Sequence, residues 1–210
     1  MVRFRCVDLP EQVEAFLSRW PDAIADRLGH TFVATGARLR VPLAALRVRP
    51  GEPLAAYAER LPGDPERQVI VLLQAGALAL GYWSDGTLLQ HKAVRRYVVR
   101  GHGKAQQKHL RTRGKSRYGS RLRLQNWRRL LVDANTRLAA FWRELGAPER
   151  VFVHVPVRAR VDWFAADPPP PFAADDPRLE RVPMHVHRPD FAELLRVRRW
   201  LEHGRLELPR

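Results

Sequence analysis

The fold is decided by residues 68–100, QVIVLLQAGALALGYWSDGTLLQHKAVRRYVVR, which carry the strongest local signals in the chain. Residues 68–74 and 77–83 are apolar and rich in β-branched or aromatic side chains, so both predict buried strands. The turn Ser84-Asp85-Gly86 supplies a glycine where a positive φ is needed, and residues 87–100 then predict a long third strand. Three sequential strands joined by short turns form an antiparallel meander.

Helical periodicity follows the meander. Apolar residues at steps of three or four predict a long helix over 121–145 that ends at Gly146. Residues 151–157 predict a strand that is reached by this helical crossover and is therefore parallel to a neighbour. Shorter helices are predicted over 10–20, 54–61 and 190–201, with further strands within 31–48 and over 181–187. The alternation predicts an α/β fold: one mixed β-sheet with an antiparallel meander, flanked by helices, in a single domain of residues 1–210.

Two segments of that domain are predicted to be loops. Residues 165–178 contain four consecutive prolines, which favour a stiff, extended surface loop. Residues 100–120 have few apolar side chains to bury, so they predict a mobile basic loop.

The charge of the chain is concentrated in one window. The 210 residues include 37 Lys or Arg and 22 Asp or Glu, for a net charge of +15. Residues 86–132 hold 14 of the basic side chains and no acidic one, so the rest of the chain is close to neutral. A merely solvated face normally mixes both signs. The window therefore predicts a surface that binds a polyanion such as RNA.

Several locations and chemistries are disfavoured by the sequence. No apolar run is long enough to cross a membrane, and the first residues do not resemble a secretory signal. The single cysteine, Cys6, is typical of a reducing cytoplasm and cannot form a thiolate metal cage. There is neither a Gly-x-Ser-x-Gly elbow nor a phosphate-binding P-loop.

Metal chemistry is a weaker alternative. His185 and His187 form a His-x-His pair, but no cysteine or acidic cluster lies beside them in the sequence. A metal-dependent nuclease would need carboxylates to converge, and the candidates are near the proline-rich segment: Asp162, Asp167, Asp175 and Asp176. We expect no metal and no cofactor.

A small motif lies inside the basic window, Gly103-Lys104-Ala105-Gln106. The glycine permits an unusual φ and a close backbone approach, and the alanine adds little bulk. A neutral glutamine cannot act as a strong base, but its amide can orient a water while backbone N–H groups stabilise a developing oxyanion. This chemistry suits hydrolysis of the ester at a tRNA end.

The surroundings of this motif resemble a known family. His-Lys-x-x-Arg-Arg-Tyr-x-Val-Arg (91–100), then Gly-x-Ala-Gln (103–106), then Gly-Ser-x-Leu-Arg-x-x-Asn (119–126) is similar to the release-factor-like domain of the ankyrin-repeat and zinc-finger peptidyl-tRNA hydrolases. These proteins form the VLRF family, which is related to the middle domain of eukaryotic class 1 release factors. The resemblance implies a release-factor middle-domain-like fold.

The resemblance also implies a function. The expected protein is a ribosome-associated peptidyl-tRNA hydrolase or release factor that frees stalled nascent chains, with Gln106 as the catalytic residue and Gly103 and Ala105 as the small residues of its loop. The broken bond is either the peptidyl ester or a bond near the CCA end of the tRNA. Gln107 leaves the register open by one residue, Lys104 replaces a small residue, and Trp127 replaces the family's glutamate after Asn126.

The expected partners are the large ribosomal subunit, its rRNA and peptidyl-tRNA, bound by a monomeric cytoplasmic protein. The residues predicted to bind RNA phosphates are Arg95, Arg96, Arg100, Lys104, Lys108, Arg111, Arg113, Lys115, Arg117, Arg121 and Arg123, and Tyr97, Tyr118 and Trp127 offer aromatic faces for bases. The alternative is a non-catalytic ribosome- or RNA-binding factor that uses the same loop as an anchor.

Overall fold

The computed structural model describes residues 1–61, 66–98 and 115–209, with side chains from residue 119 onward in the helix that begins at Lys115. The chain divides into two compact units, one of Met1–Glu66 with Arg196–Arg210 and one of Arg67–Leu195. Each unit contains a five-stranded sheet. The single-domain interpretation of residues 1–210 stays a prediction.

The first unit combines both ends of the chain. Its elements are β1 (Val2–Arg5), a short 3-10 turn (Cys6–Asp8), α1 (Leu9–Arg19), β2 (Ile24–Ala25), β3 (Thr31–Ala34), β4 (Ala37–Arg40), α2 (Leu54–Arg60) and the last strand, β10 (His203–Glu207). The strand order is β1-β10-β4-β3-β2, antiparallel throughout. Phe4, Phe32 and Leu39 point into a core shared with both helices. The helices α1 and α2 and the strands β3 and β4 confirm the predictions for 10–20, 54–61 and 31–48, whereas β1, β2 and β10 were not predicted.

The meander opens the second unit as the sequence predicts. It consists of β5 (Gln68–Gln74), β6 (Ala77–Ser84) and β7 (Thr87–Arg95), paired antiparallel in that order. Asp85 and Gly86 form the two-residue turn between β6 and β7 with φ of 48° and 70°, the positive pair that suits a tight hairpin. The third strand ends at Arg95, earlier than the predicted Arg100.

The long helix makes the predicted crossover. It is α3 (Lys115–Leu145), and it leads to β8 (Arg150–His154), which pairs parallel with β5. Leu131, Ala134 and Leu138 are buried against the sheet, which confirms the apolar face read from the sequence. The helix starts before the predicted residue 121, so residues 115–120 are helical where the sequence favoured a loop.

The end of the second unit departs most from prediction. After β8 come α4 (Val157–Phe164), which was not predicted, β9 (Leu179–Arg181), and α5 (Phe191–Leu201) with Asp190 capping the backbone N–H of Glu193 at 2.8 Å. The strand predicted over 181–187 is wrong. Gln74 Nε2 donates to the carbonyls of Val186 and His187 at 3.0 Å each, so a side chain satisfies this backbone instead of a ladder of strand hydrogen bonds.

The predicted proline-rich loop, residues 165–178, contains no helix or strand. It is nevertheless tied to the core, because Phe172 is buried among Trp142, Trp163 and Phe164. The second sheet has the order β7-β6-β5-β8-β9 and is mixed. The predicted fold class, a mixed sheet with an antiparallel meander flanked by helices, is confirmed, but the chain has two sheets where the sequence predicted one, because β1 and β10 pair into a separate antiparallel sheet. No helix in the described part of the chain is both long and apolar enough to cross a membrane.

Candidate functional site

The candidate site lies where β7 ends and α3 begins. Much of the predicted site lies outside the described residues: the catalytic candidates Gly103, Ala105 and Gln106, and the phosphate-binding candidates Arg100, Lys104, Lys108, Arg111 and Arg113. Lys115 and Arg117 are at the start of α3. Arg95, Arg96, Arg121 and Arg123 have described side chains, so the geometry concerns the two ends of the predicted loop.

The strand end of the site is fixed by close backbone contacts. Arg96 N–H donates to the carbonyl of Gly76 at 2.9 Å. Gly76 has a φ of +83°, and a Cβ atom there would lie 2.7 Å from the carbonyl oxygen of Arg96. Only glycine combines this conformation with this approach. The turn between β5 and β6 therefore supports the residues that follow β7.

Asn126 connects the strand end to the helix. Its Nδ2 donates to the backbone carbonyl of Tyr97 at 2.8 Å. Asn126 is the last residue of the motif Gly-Ser-x-Leu-Arg-x-x-Asn, and Tyr97 belongs to the motif before the loop. The two motifs, separated by the residues that are not described, are thus in direct contact. Sequence reasoning did not assign this contact to Asn126.

Arg96 forms an ion pair with α3. Its Nη2 and Nε lie 2.5 Å and 3.1 Å from Oδ2 of Asp133, and both side chains are partly buried. Asp133 is the first acidic residue after the acid-free window. This pair ties β7 to α3 and neutralises one of the charges that the sequence assigned to RNA.

Arg95 is also paired. Its Nη2 lies 2.7 Å from Oδ2 of Asp190, although more than half of the arginine side chain is exposed. Asp190 additionally caps α5. Sequence reasoning missed both carboxylate partners. Asp133 could have been suspected from its place at the edge of the window, whereas Asp190 is too distant in the sequence to leave a signal.

The start of α3 keeps its positive charge. Arg121 is exposed, Arg123 is partly exposed and donates from Nη2 to Ser120 Oγ at 3.0 Å, and Arg128 and Arg129 are exposed. Within the described ranges, neither Arg121 nor Arg123 pairs with a carboxylate. These two predicted residues are available to phosphates, which guanidinium groups bind in a bidentate manner.

The two described aromatic candidates differ in availability. Tyr97 is 46% exposed and can offer a ring face to a base. Trp127 packs against the core and donates from Nε1 to Asp162 Oδ2 at 2.9 Å, which links α3 to α4. Asp162 was a candidate acid for a nuclease, and here it accepts a structural hydrogen bond.

The other metal candidates do not converge. Asp176 is 2.7 Å from Arg178 Nη2, and His187 Nδ1 is 3.3 Å from Glu193 Oε2. Burial is the main reason why the pKa of His154 is lowered, and the nearby charges of Arg181 and His185 lower it further. In the portion of the chain that is described, no three His, Cys, Asp or Glu side chains are arranged to hold a metal ion.

Comparisons with known proteins identify the same family as the sequence motifs. A family model described as "Bacteroidetes VLRF1 release factor" matches residues 68–207. Two curated relatives are named "tRNA endonuclease ANKZF1": the mouse (Mus musculus) protein is 33% identical over 139 residues and the cattle (Bos taurus) protein 30% identical over 139 residues. Both alignments cover 64% of this chain, and they cover 18% and 19% of the relatives, so the chain spans less than a fifth of their length.

A solved structure named "Vms1 mitochondrial localization core" has a similar fold. It matches with a TM-score of 0.52 and 16% identity, over 96% of this chain and 82% of that one. At this identity the likeness concerns the fold alone. The family match is longer than the three motifs, since it extends from β5 to β10 and includes both elements that hold the ends of the predicted loop. The chain belongs to the VLRF1 release-factor family.

Proposed function

We propose that this protein frees nascent chains from peptidyl-tRNA retained on the large ribosomal subunit, with Gln106 in its catalytic loop. The family match over residues 68–207 is the observation that supports this most strongly, because it spans the loop segment and both of its anchoring elements. The contact between Asn126 and Tyr97 adds a physical reason why the motifs on either side of the loop occur together.

In the proposed reaction, the Gln106 amide orients a water molecule toward the ester carbonyl carbon of peptidyl-tRNA. The water oxygen bonds to that carbon and the bond to the ribose oxygen breaks. The tRNA regains its terminal hydroxyl, and the peptide leaves as a carboxylic acid. Gly103 and Ala105 allow the backbone to approach the ester, where N–H groups stabilise the oxyanion.

A second candidate activity is cleavage of the tRNA itself near its 3′ end. The relatives named as tRNA endonucleases favour it. In that case the neighbouring ribose 2′-hydroxyl oxygen bonds to the phosphorus and the bond from phosphorus to the 5′-oxygen breaks. The tRNA keeps a 2′,3′-cyclic phosphate, and the peptide leaves attached to a short 3′ fragment that begins with a 5′-hydroxyl. The same loop can orient the attacking hydroxyl. The two activities leave different 3′ ends on the tRNA product.

Binding to RNA is assigned to the basic residues around the loop. Arg121 and Arg123 are unpaired with acids in the described structure and contact phosphates, together with the predicted loop residues Lys104, Lys108, Arg111 and Arg113. Arg95 and Arg96 principally hold the site together through Asp190 and Asp133. The protein acts as a cytoplasmic monomer on the ribosomal subunit and its rRNA.

The decisive experiment is a release assay on purified large subunits that carry peptidyl-tRNA, followed by mapping of the tRNA 3′ end. Gln106→Ala should slow release roughly 100-fold, the usual effect of a misplacement of about 1 Å in a reacting group. Gln107→Ala is the matched control and should release at nearly the original rate. Subunit binding should be unchanged in both variants.

Three outcomes would oppose parts of this proposal. Full activity of a Gln106→Ala/Gln107→Ala double variant would show that no loop glutamine is catalytic. Subunit binding without any release by the original chain would favour the non-catalytic factor. Loss of release in EDTA, with subunits kept intact by a compensating polyamine, would favour a metal-dependent nuclease.

A further inference from the structure

Three arginines form a row across the sheet of the first unit. Arg3 on β1 is the register partner of Arg205 on β10, and Arg205 is also the register partner of Arg40 on β4. Directly paired residues in a sheet point to the same face. Their neighbours Phe4 and Leu39 are buried in the core, so the three arginines occupy the opposite face.

This row is unfavourable for the isolated fold. Adjacent strands are about 4.8 Å apart, and like charges directly opposite each other destabilise a sheet. In the described ranges, none of Arg3, Arg40 or Arg205 forms an ion pair, and Arg40 stacks over the Trp200 ring at 5.6 Å. Glu207 follows Arg205 by two residues on β10 and is the register partner of Arg38 on β4.

The row borders a cleft of about 250 Å³ within the first unit. The lining residues are Arg3, Arg40, Val41, Leu43, Arg199, Trp200, His203 and Arg205. None of them is acidic, and four are arginines. The cleft therefore combines several guanidinium groups with an apolar wall.

We propose that this cleft binds the phosphodiester backbone of RNA, as a contact additional to the loop between β7 and α3. A row of arginines across three strands extends about 10 Å, which fits successive phosphates better than a single anion. Guanidinium groups prefer phosphate oxygens, and the apolar wall can contact a sugar or a base. Arg3 and Arg40 lie outside residues 68–207, so the family match covers only the part of this cleft that α5 and β10 contribute.

The proposal can be tested with the full chain and a single-stranded RNA of about 12 nucleotides, a length within the usual site size of such grooves. Each phosphate contact contributes about −0.7 to the slope of log affinity against log salt. Arg40→Gln/Arg205→Gln should make that slope less steep by about 1.4, which corresponds to roughly 25-fold weaker binding at about 0.1 M salt if affinities converge near about 1 M.

The matched control is Arg27→Gln/Arg158→Gln, which removes the same charge from two exposed positions and should change the slope little. Arg3→Gln/Arg199→Gln affects two exposed side chains at the cleft, so it supplies a second variant if the first one folds poorly. Each of these paired substitutions is also combined with Arg111→Gln/Arg113→Gln, which removes two predicted phosphate contacts of the loop. The loss of RNA affinity caused by the cleft substitutions should persist in that background.

The proposal is wrong if both cleft pairs bind RNA as tightly as the control pair. Loss of binding only in the loop variant would support the loop contact and overturn the cleft. Binding to vesicles that contain phosphatidylserine tests whether the cleft binds an anionic membrane surface instead of RNA. If the cleft variants lose vesicle binding and keep RNA binding, the partner is a membrane surface and the RNA assignment is overturned.

Discussion

Asn135 is a fully buried amide at the centre of the second unit. Its Oδ1 accepts a 2.6 Å hydrogen bond from Trp163 Nε1, and its Nδ2 donates to the Pro168 carbonyl at 2.8 Å. One side chain on α3 thus satisfies an indole on α4 and a carbonyl in the proline-rich loop. Buried polar groups of this kind stabilise a fold only while every partner is present.

Replacing this amide should therefore be costly. Asn135→Leu leaves the buried Trp163 indole and the partly buried Pro168 carbonyl without their partner. A buried unsatisfied group costs about 1–3 kcal/mol, and a carbonyl that water can reach costs less. We expect the free energy of unfolding to fall by about 2–4 kcal/mol in urea titrations. Gln125→Leu, at an exposed position of the same helix, is the control. A loss below about 1 kcal/mol in the buried variant would mean that water or a rearranged side chain replaces the amide.

At the scale of elements, β7 and α3 form a frame for the predicted loop. The Arg96–Asp133 ion pair and the Asn126–Tyr97 hydrogen bond join the two residues that follow β7 to α3. Partly exposed contacts of this kind contribute modestly to stability. Their main consequence is geometric, because they determine where the chain leaves the strand and where it enters the helix.

This frame predicts a separation of binding from catalysis. Asn126→Ala should reduce release from peptidyl-tRNA by about tenfold or more, since small misplacements of a catalytic group are expensive. RNA affinity and its salt slope should stay close to the original values, because no charge is removed. Gln125→Ala is the adjacent control.

Equal losses of release and RNA affinity in Asn126→Ala would contradict a positioning role and indicate a direct RNA contact. Unchanged release would show that the hydrogen bond to Tyr97 does not orient the loop. A melting curve should show only a small change in either variant, which separates positioning from unfolding.

At the scale of the whole molecule, several arginines outside the basic window are paired with carboxylates. The hydrogen bond from Arg178 holds the pKa of Asp176 below its ordinary value of 3.8. Burial alone would raise the pKa of Glu149, but hydrogen bonds from Arg67 outweigh it and hold that pKa below 4.5. Burial and Arg60 oppose each other in the same way at Glu52, whose pKa is also lowered.

These shifts predict how stability depends on pH. As the pH falls below 4.5 and then 3.8, the unfolded chain takes up protons before the folded one does, so the stabilisation from these pairs is lost progressively toward their lower folded pKa values. Urea midpoints measured from about pH 6 downward should therefore drop most steeply below about pH 4.5. Asp176→Asn should weaken that dependence, whereas the exposed neighbour Asp175→Asn should not. Identical pH profiles for the two variants would contradict the role of the Asp176–Arg178 pair.

The sequence by itself determined the features that depend on near neighbours. The Asp85-Gly86 hairpin, the buried strands β5 and β6, and the apolar face of α3 follow from turn chemistry and periodicity, and all were predicted. The acid-free window over 86–132 and the motifs around Gln106 likewise pointed to RNA and to the family, because composition and spacing are properties of the chain itself.

Only the tertiary structure decided which distant residues meet. Val2 pairs with Leu206, so β1 and β10 acquire their partner from the far end of the chain, and short charged strands such as these carry little local signal. The same non-local pairing creates the row of Arg3, Arg205 and Arg40. In the second unit, the tertiary structure pairs Asp190 with Arg95, a residue that the sequence predicted to bind phosphate. The net charge follows from the composition of the chain, whereas the fold decides which arginines are paired with carboxylates.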